Sequence, residues 1–83
     1  MKKHIWEGAV GISLEPKQSR TGDYFWTFEL VRCFKQDGTD EMRYASHFTE
    51  RNAEAMGRAL SRAFQFMTET SASSFANHEH HGA

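Results

Sequence analysis

Cys33 and His47 are the residue types that could pair as a nucleophile and its base, since a thiol attacks as its thiolate and an imidazole can take up the proton. To act together they would have to meet across a sheet, and no further group is placed to orient the imidazole. A lone cysteine among apolar neighbours more commonly serves as a small hydrophobe. Cys33 is therefore expected to be structural and His47 a polar strand residue. Asp37, Asp40 and Glu41 crowd one turn with no pocket-forming element beside them, so solvation accounts for them. No catalytic residue and no enzyme is expected.

His78, Glu79, His80 and His81 bring imidazoles and a carboxylate together near the end of the chain, a pattern that can hold a divalent metal. Without neighbours that fix the rings, such a run selects poorly among metals. Structural zinc needs four Cys or His ligands in paired spacing, whereas the domain supplies Cys33, His4 and His47. The Gly8 to Gly11 segment has neither the spacing nor the following helix of a phosphate-cradling loop. No metal, cofactor or small-molecule substrate is expected.

The basic residues stand out by placement. Lys17 and Arg20 share one loop, Arg32, Lys35 and Arg43 fall on paired strands, and Arg51, Arg58 and Arg62 lie along a helix face. Basic grooves interleaved with aromatic rings bind single-stranded nucleic acid. Glu29, Glu41, Glu50 and Glu54 interleave with these cations, and Glu54 with Arg58 makes a favourable helical pair, so a solvated mixed surface explains the same residues.

The elements that must position these groups follow from length and patterning. At 83 residues the chain is one domain, and ten Lys and Arg against eleven Asp and Glu exclude a histone-like polycation. A hydrophobic fraction of 39% with 13% aromatic residues is too apolar for a disordered chain. One cysteine allows no internal disulfide, no signal-like start follows Met1, and no apolar run of about twenty residues is present to span a membrane. A cytoplasmic protein with no membrane partner is expected.

From Ile5 to Glu15 the pattern alternates, with Trp6, Gly8, Val10, Ile12 and Leu14 on one face. Gly8 and Gly11 mark a kink that could divide the segment into two strands, and Pro16 ends it. Lys17 to Asp23 reads as an exposed loop. Tyr24 to Lys35 forms a second strand, apolar on both faces, and Asp37-Gly38 turns the chain into a strand from about Glu41 to Phe48. Thr49 and Glu50 start a helix that runs to Met67, with Ala53, Met56, Leu60, Ala63, Phe64 and Met67 as its apolar stripe. Gly57 inside that helix points to close approach by Trp6 or Trp26. Residues 69–83 are poor in large apolar groups and read as a disordered tail behind a domain spanning 1–68.

The fold class is α+β: an antiparallel sheet of three or four strands followed by one C-terminal helix packed on one sheet face. The expected core is Val10, Ile12, Trp26, Phe28, Leu30, Tyr44, Met56, Leu60 and Ala63. One helix can cover only one face of a sheet that is apolar on both, so a homodimer through Phe25, Val31 and Cys33 is expected.

The layout of a bent first strand, an aromatic strand ending in Val31-Arg32-Cys33-Phe34-Lys35, an Asp-Gly turn, a strand ending in Ala45-Ser46-His47-Phe48-Thr49 and a closing amphipathic helix resembles the Pur-alpha and whirly superfamily of single-stranded nucleic-acid-binding proteins. The likeness covers residues 5 to 67 at the level of element order. Those proteins place four strands ahead of the helix, and the Gly8 to Gly11 kink is where the additional strand would arise. The resemblance implies a sheet face that binds single-stranded DNA or RNA, pairing of domains through helices and sheet edges, and contact residues at Lys17, Arg20, Phe25, Arg32, Lys35 and Arg43. The function expected is a small single-stranded nucleic-acid-binding module with a regulatory role. The alternative is a homodimeric assembly protein without nucleic-acid activity.

Overall fold

A computed structural model describes residues 2–81. Four strands, β1 (Lys3–Glu7), β2 (Val10–Gln18), β3 (Tyr24–Lys35) and β4 (Met42–Ala45), form an antiparallel meander in which each strand pairs with the next. A 3-10 turn (Glu50–Asn52) leads into α1 (Ala53–Glu69), and α2 (Ala72–His81) follows. This is the expected α+β fold, with a shorter second helix added. Among the described residues no helix is long and apolar enough to cross a membrane.

The Gly8 to Gly11 kink is a tight hairpin. Gly8 adopts φ +57°, a conformation most side chains disfavour, and the turn pairs Glu7 with Val10, Trp6 with Gly11 and Ile5 with Ile12. The pairing puts odd residues of β1 opposite even residues of β2, so Ile5, not Trp6, shares the inner face with Val10, Ile12 and Leu14. Pro16 does not end β2, which runs on to Gln18 and takes Lys17 into the strand. Pro16 is tolerated because β1 begins at Lys3 opposite Leu14, leaving no neighbour on the side where an amide hydrogen is missing.

Asp37-Gly38 turns the chain as expected, with Gly38 at φ +79° and the Gln36 amide donating to the Glu41 carbonyl. β4 is shorter than the pattern predicted. Its register, Arg32 opposite Ala45 and Phe34 opposite Arg43, places Ala45 and Arg43 on the helix side and turns Tyr44 the other way. Tyr44, expected in the core, is 64% exposed.

The core forms where α1 lies over the β1 and β2 hairpin. Ile5, Val10, Ile12 and Leu14 meet Ala59 and Ala63, whose small side chains let the helix sit close to the sheet. Trp26, Leu30, Met56 and Leu60 border this cluster half-buried, while Phe28 stays 42% exposed beside Phe64. Glu7 fixes the helix over the hairpin by accepting from Arg58 and Arg62, and Arg62 also donates to the Trp6 carbonyl. Gly57 faces open space, and the close approach expected there occurs at Gly11.

Helix α2 replaces the disordered tail predicted for residues 69–83; residues 82 and 83 lie outside the described part. The Ser71 hydroxyl accepts from the Ser74 amide at its start. Ala72 and Ala76 are buried, and the Phe75 ring packs against Trp26 and Phe66 at centroid distances of 5.2 and 6.0 Å. Trp26 donates through Nε1 to the Thr70 carbonyl at 2.9 Å, tying β3 to the link between the helices. A single aromatic residue with two flanking alanines suffices here because it fills a space already lined by Trp26 and Phe66.

Candidate nucleic-acid interface on the uncovered sheet face

Both helices lie on one face of the sheet. The opposite face is built from the even residues of β1 and β4 and the odd residues of β2 and β3, an assignment dictated by strand alternation and the three registers. Across it, Trp6 neighbours Gly11, which neighbours Val31; Cys33 neighbours Tyr44; Lys35 neighbours Met42; and Lys17 neighbours Phe25.

The six-membered ring of Trp6 rests on Gly11, where an added methyl group would fall within 2.6 Å of the ring. Gly11 is buried under the indole, and the indole itself remains 44% exposed. Phe25 and Tyr44 are exposed on the same face at 48% and 64%. Exposed rings of this kind, that of Trp6 held against Gly11, offer flat surfaces on which another ring can stack.

Charge on this face comes from few groups. The Lys17 ammonium lies 3.1 Å from Glu15 Oε1, and that hydrogen bond is the main cause of a Glu15 pKa below the ordinary carboxylate value, with Lys2 adding to the effect. His4 Nδ1 and Ser13 Oγ are 3.1 Å apart. Glu29 occupies the same cross-strand row as Ser13 and forms no ion pair among the described residues. Several of the acids lie elsewhere: Glu7 and Glu54 contact α1 arginines, and Asp37, Asp40 and Glu41 belong to the β3 to β4 turn.

The structure divides the residues singled out from sequence. Lys17, Phe25, Val31, Cys33 and Lys35 share the uncovered face, and Arg20 occupies the turn between β2 and β3 at the Lys17 and Phe25 end. Arg32 and Arg43 belong to the helix side and do not join them. Arg32 packs over the Phe34 ring at 4.8 Å and donates through Nε to the His47 carbonyl, while Arg43 donates to Gln36 and Glu41. Cys33 is half-buried and no hydrogen bond joins it to His47. Among the described residues no group of His, Cys, Asp and Glu is arranged to hold a metal ion; the side chains of His78, Glu79, His80 and His81 lie outside the described part.

Trp6 and Tyr44 were missed as surface rings because alternation alone put Trp6 on the strand face of Val10, Ile12 and Leu14 and Tyr44 in the core. The signal that could have found Trp6 was the Gly8 turn, which reverses the face. No family model, curated protein or solved structure matches the chain at a significant level.

Proposed function

We propose that this chain binds single-stranded nucleic acid across the uncovered sheet face. The observation that carries the reading is the exposure of Trp6, Phe25 and Tyr44 on the face that no helix covers, with Lys17 and Lys35 among them. Unpaired bases stack on exposed rings with little regard to sequence, each worth about 1–3 kcal/mol, and lysines beside the rings attract the phosphates. Trp6 is suited to this role because its lower face is already fixed against Gly11, so little freedom is lost when a base covers the upper one.

Lys17 and Arg20 contact the phosphates at one end of the platform and Lys35 at the other. Phe25 and Val31 are separated along β3 by about 20 Å, room for a short oligonucleotide rather than one nucleotide. The element order that resembles the Pur-alpha and whirly proteins supports the same reading, now with four strands ahead of the helix. The test is a mobility-shift titration with single-stranded and double-stranded oligonucleotides at two salt concentrations. Preference for the single strand, weakening as salt rises, is the expected result. No shift at low salt would remove this function and leave the assembly reading.

A further inference from the structure

We infer that Glu29 reads one base of the bound strand by its exocyclic amino group, so that cytosine, adenine and guanine are accepted at that position and thymine and uracil are disfavoured. This preference rests on the proposal that the uncovered face binds a single strand. Beside the Trp6 platform that face holds an open depression of about 360 Å³, lined by Ser13, Glu29, Val31, Tyr44 and Ser46 among others. It opens where the ladder between β3 and β4 ends, at Arg32 and Ala45. Its size is at the low end of small-molecule sites, suited to one base. Gly11, on which the Trp6 ring rests, pairs with Val31 on the rim of the depression. A strand that stacks one base on Trp6 therefore brings a neighbouring base to Glu29.

Glu29 is exposed and enters no ion pair among the described residues. The other strand carboxylate on this face, Glu15, is held by Lys17 at 3.1 Å. Across β2 the Glu29 row continues through Ser13 to His4, whose Nδ1 lies 3.1 Å from Ser13 Oγ. A free carboxylate in the middle of a phosphate-binding face repels the backbone and confines the phosphates to the cations at either end. What it can meet is the edge of a base.

An ionised carboxylate only accepts hydrogen bonds. It therefore takes an N–H of the amino group at N4 of cytosine, N6 of adenine or N2 of guanine. Thymine and uracil carry carbonyl oxygens on both sides of a single N–H, and an oxygen turned toward Glu29 sets acceptor against acceptor and leaves both unsatisfied. Discrimination comes more from this rejection than from attraction, because the exposed carboxylate merely exchanges water for the amino group. The hydroxyls of Ser13 and Ser46 line the same depression and have a donor for the ring nitrogen beside the amino group of cytosine and adenine. Tyr44, 64% exposed, offers the ring on which that base stacks while its edge turns to Glu29.

Oligo(dC) and oligo(dU) of equal length separate the preference from binding itself, because their bases differ only in the amino group at C4 and the proton at N3. In fluorescence-anisotropy titrations at low salt the full chain is expected to bind oligo(dC) about fivefold or more tightly than oligo(dU), the low end of what one base contact discriminates. Glu29→Ala should bring the two affinities within about twofold and raise that for oligo(dU), since a repelling charge is gone. Glu29→Gln keeps the shape and should lose the preference too, because its amide can turn a donor to the carbonyl. Glu15→Ala removes a charge of the same sign from the same face and should leave the ratio unchanged. Equal affinities of the wild type for both strands overturn the inference while leaving the nucleic-acid function in place, as does a ratio that both Glu29 variants keep. Binding of neither strand removes the nucleic-acid function, and the base preference with it.

Discussion

The indole of Trp6 lies against the backbone of Gly11 on the neighbouring strand, leaving no room there for even a methyl group, which would come within 2.6 Å of the ring. Gly11 is thus a packing requirement of the platform. Gly11→Ala is expected to displace the indole and to cost about 1–3 kcal/mol of stability, as overpacking does. Once Trp6→Ala has removed the ring, the same substitution should be neutral or stabilising, because glycine inside a strand is itself unfavourable by about 0.5–1 kcal/mol. A double-mutant cycle by urea denaturation measures the difference, and additive effects would show that the contact constrains nothing.

Acid should loosen the hold of α1 on the hairpin. Hydrogen bonds from Arg62 and then Arg58 hold the Glu7 carboxyl below its ordinary value of 4.5. A carboxyl depressed in the folded state stabilises the fold above its unfolded pKa and loses that contribution as pH falls through the folded one. Stability is therefore expected to decline below about pH 4.5, and Glu7→Gln should flatten the decline. The flattening will be partial, because Glu15 is depressed in the same direction through Lys17. Denaturation midpoints between neutral pH and pH 3 check this, and parallel curves for variant and wild type would exclude the Glu7 contribution.

Phe75 should hold α2 in place. Its ring touches Trp26 and Phe66 but is only half-buried. Phe75→Ala is expected to destabilise by about 1–2 kcal/mol, less than the 3–5 kcal/mol typical of a fully buried aromatic residue. It should also shift the Trp26 fluorescence to longer wavelength as water reaches the ring. Emission in a Trp6→Phe background isolates that signal, and an unchanged spectrum would mean that α2 does not cover Trp26.

The proposed nucleic-acid interface separates the two faces of the sheet. Trp6→Ala is expected to weaken oligonucleotide binding by about 5- to 150-fold, the equivalent of about 1–3 kcal/mol for one stacked base. Lys17→Glu with Arg20→Glu should weaken it for all sequences and reduce its salt dependence. Arg43→Glu, on the helix side, should leave affinity nearly unchanged. Titrations with a labelled single strand provide the measurement, and an Arg43→Glu effect as large as that of the Lys17 and Arg20 reversal would move the interface to the other face.

The sequence by itself determined the types and order of the elements as far as α1, with the division of the first strand at Gly8 left open. Alternation in Val10, Ile12 and Leu14, the aromatic run from Tyr24, Asp37-Gly38 and the stripe through Met56, Leu60 and Ala63 are local signals, read within a few residues of one another. Which face each strand presents was decided by tertiary structure, because a tight turn fixes pairing parity. The Gly8 hairpin sends Trp6 outward and Ile5 inward, and the β3 to β4 turn does the same to Tyr44 and Ala45. The platform on the uncovered face, and the separation of Arg32 and Arg43 from it, therefore could not be read from alternation alone. Helix α2 escaped composition for a related reason. Ala72, Phe75 and Ala76 are too few to hold a helix by themselves, and they do so only against Trp26 and Phe66, which the fold brings to them from far away in the chain.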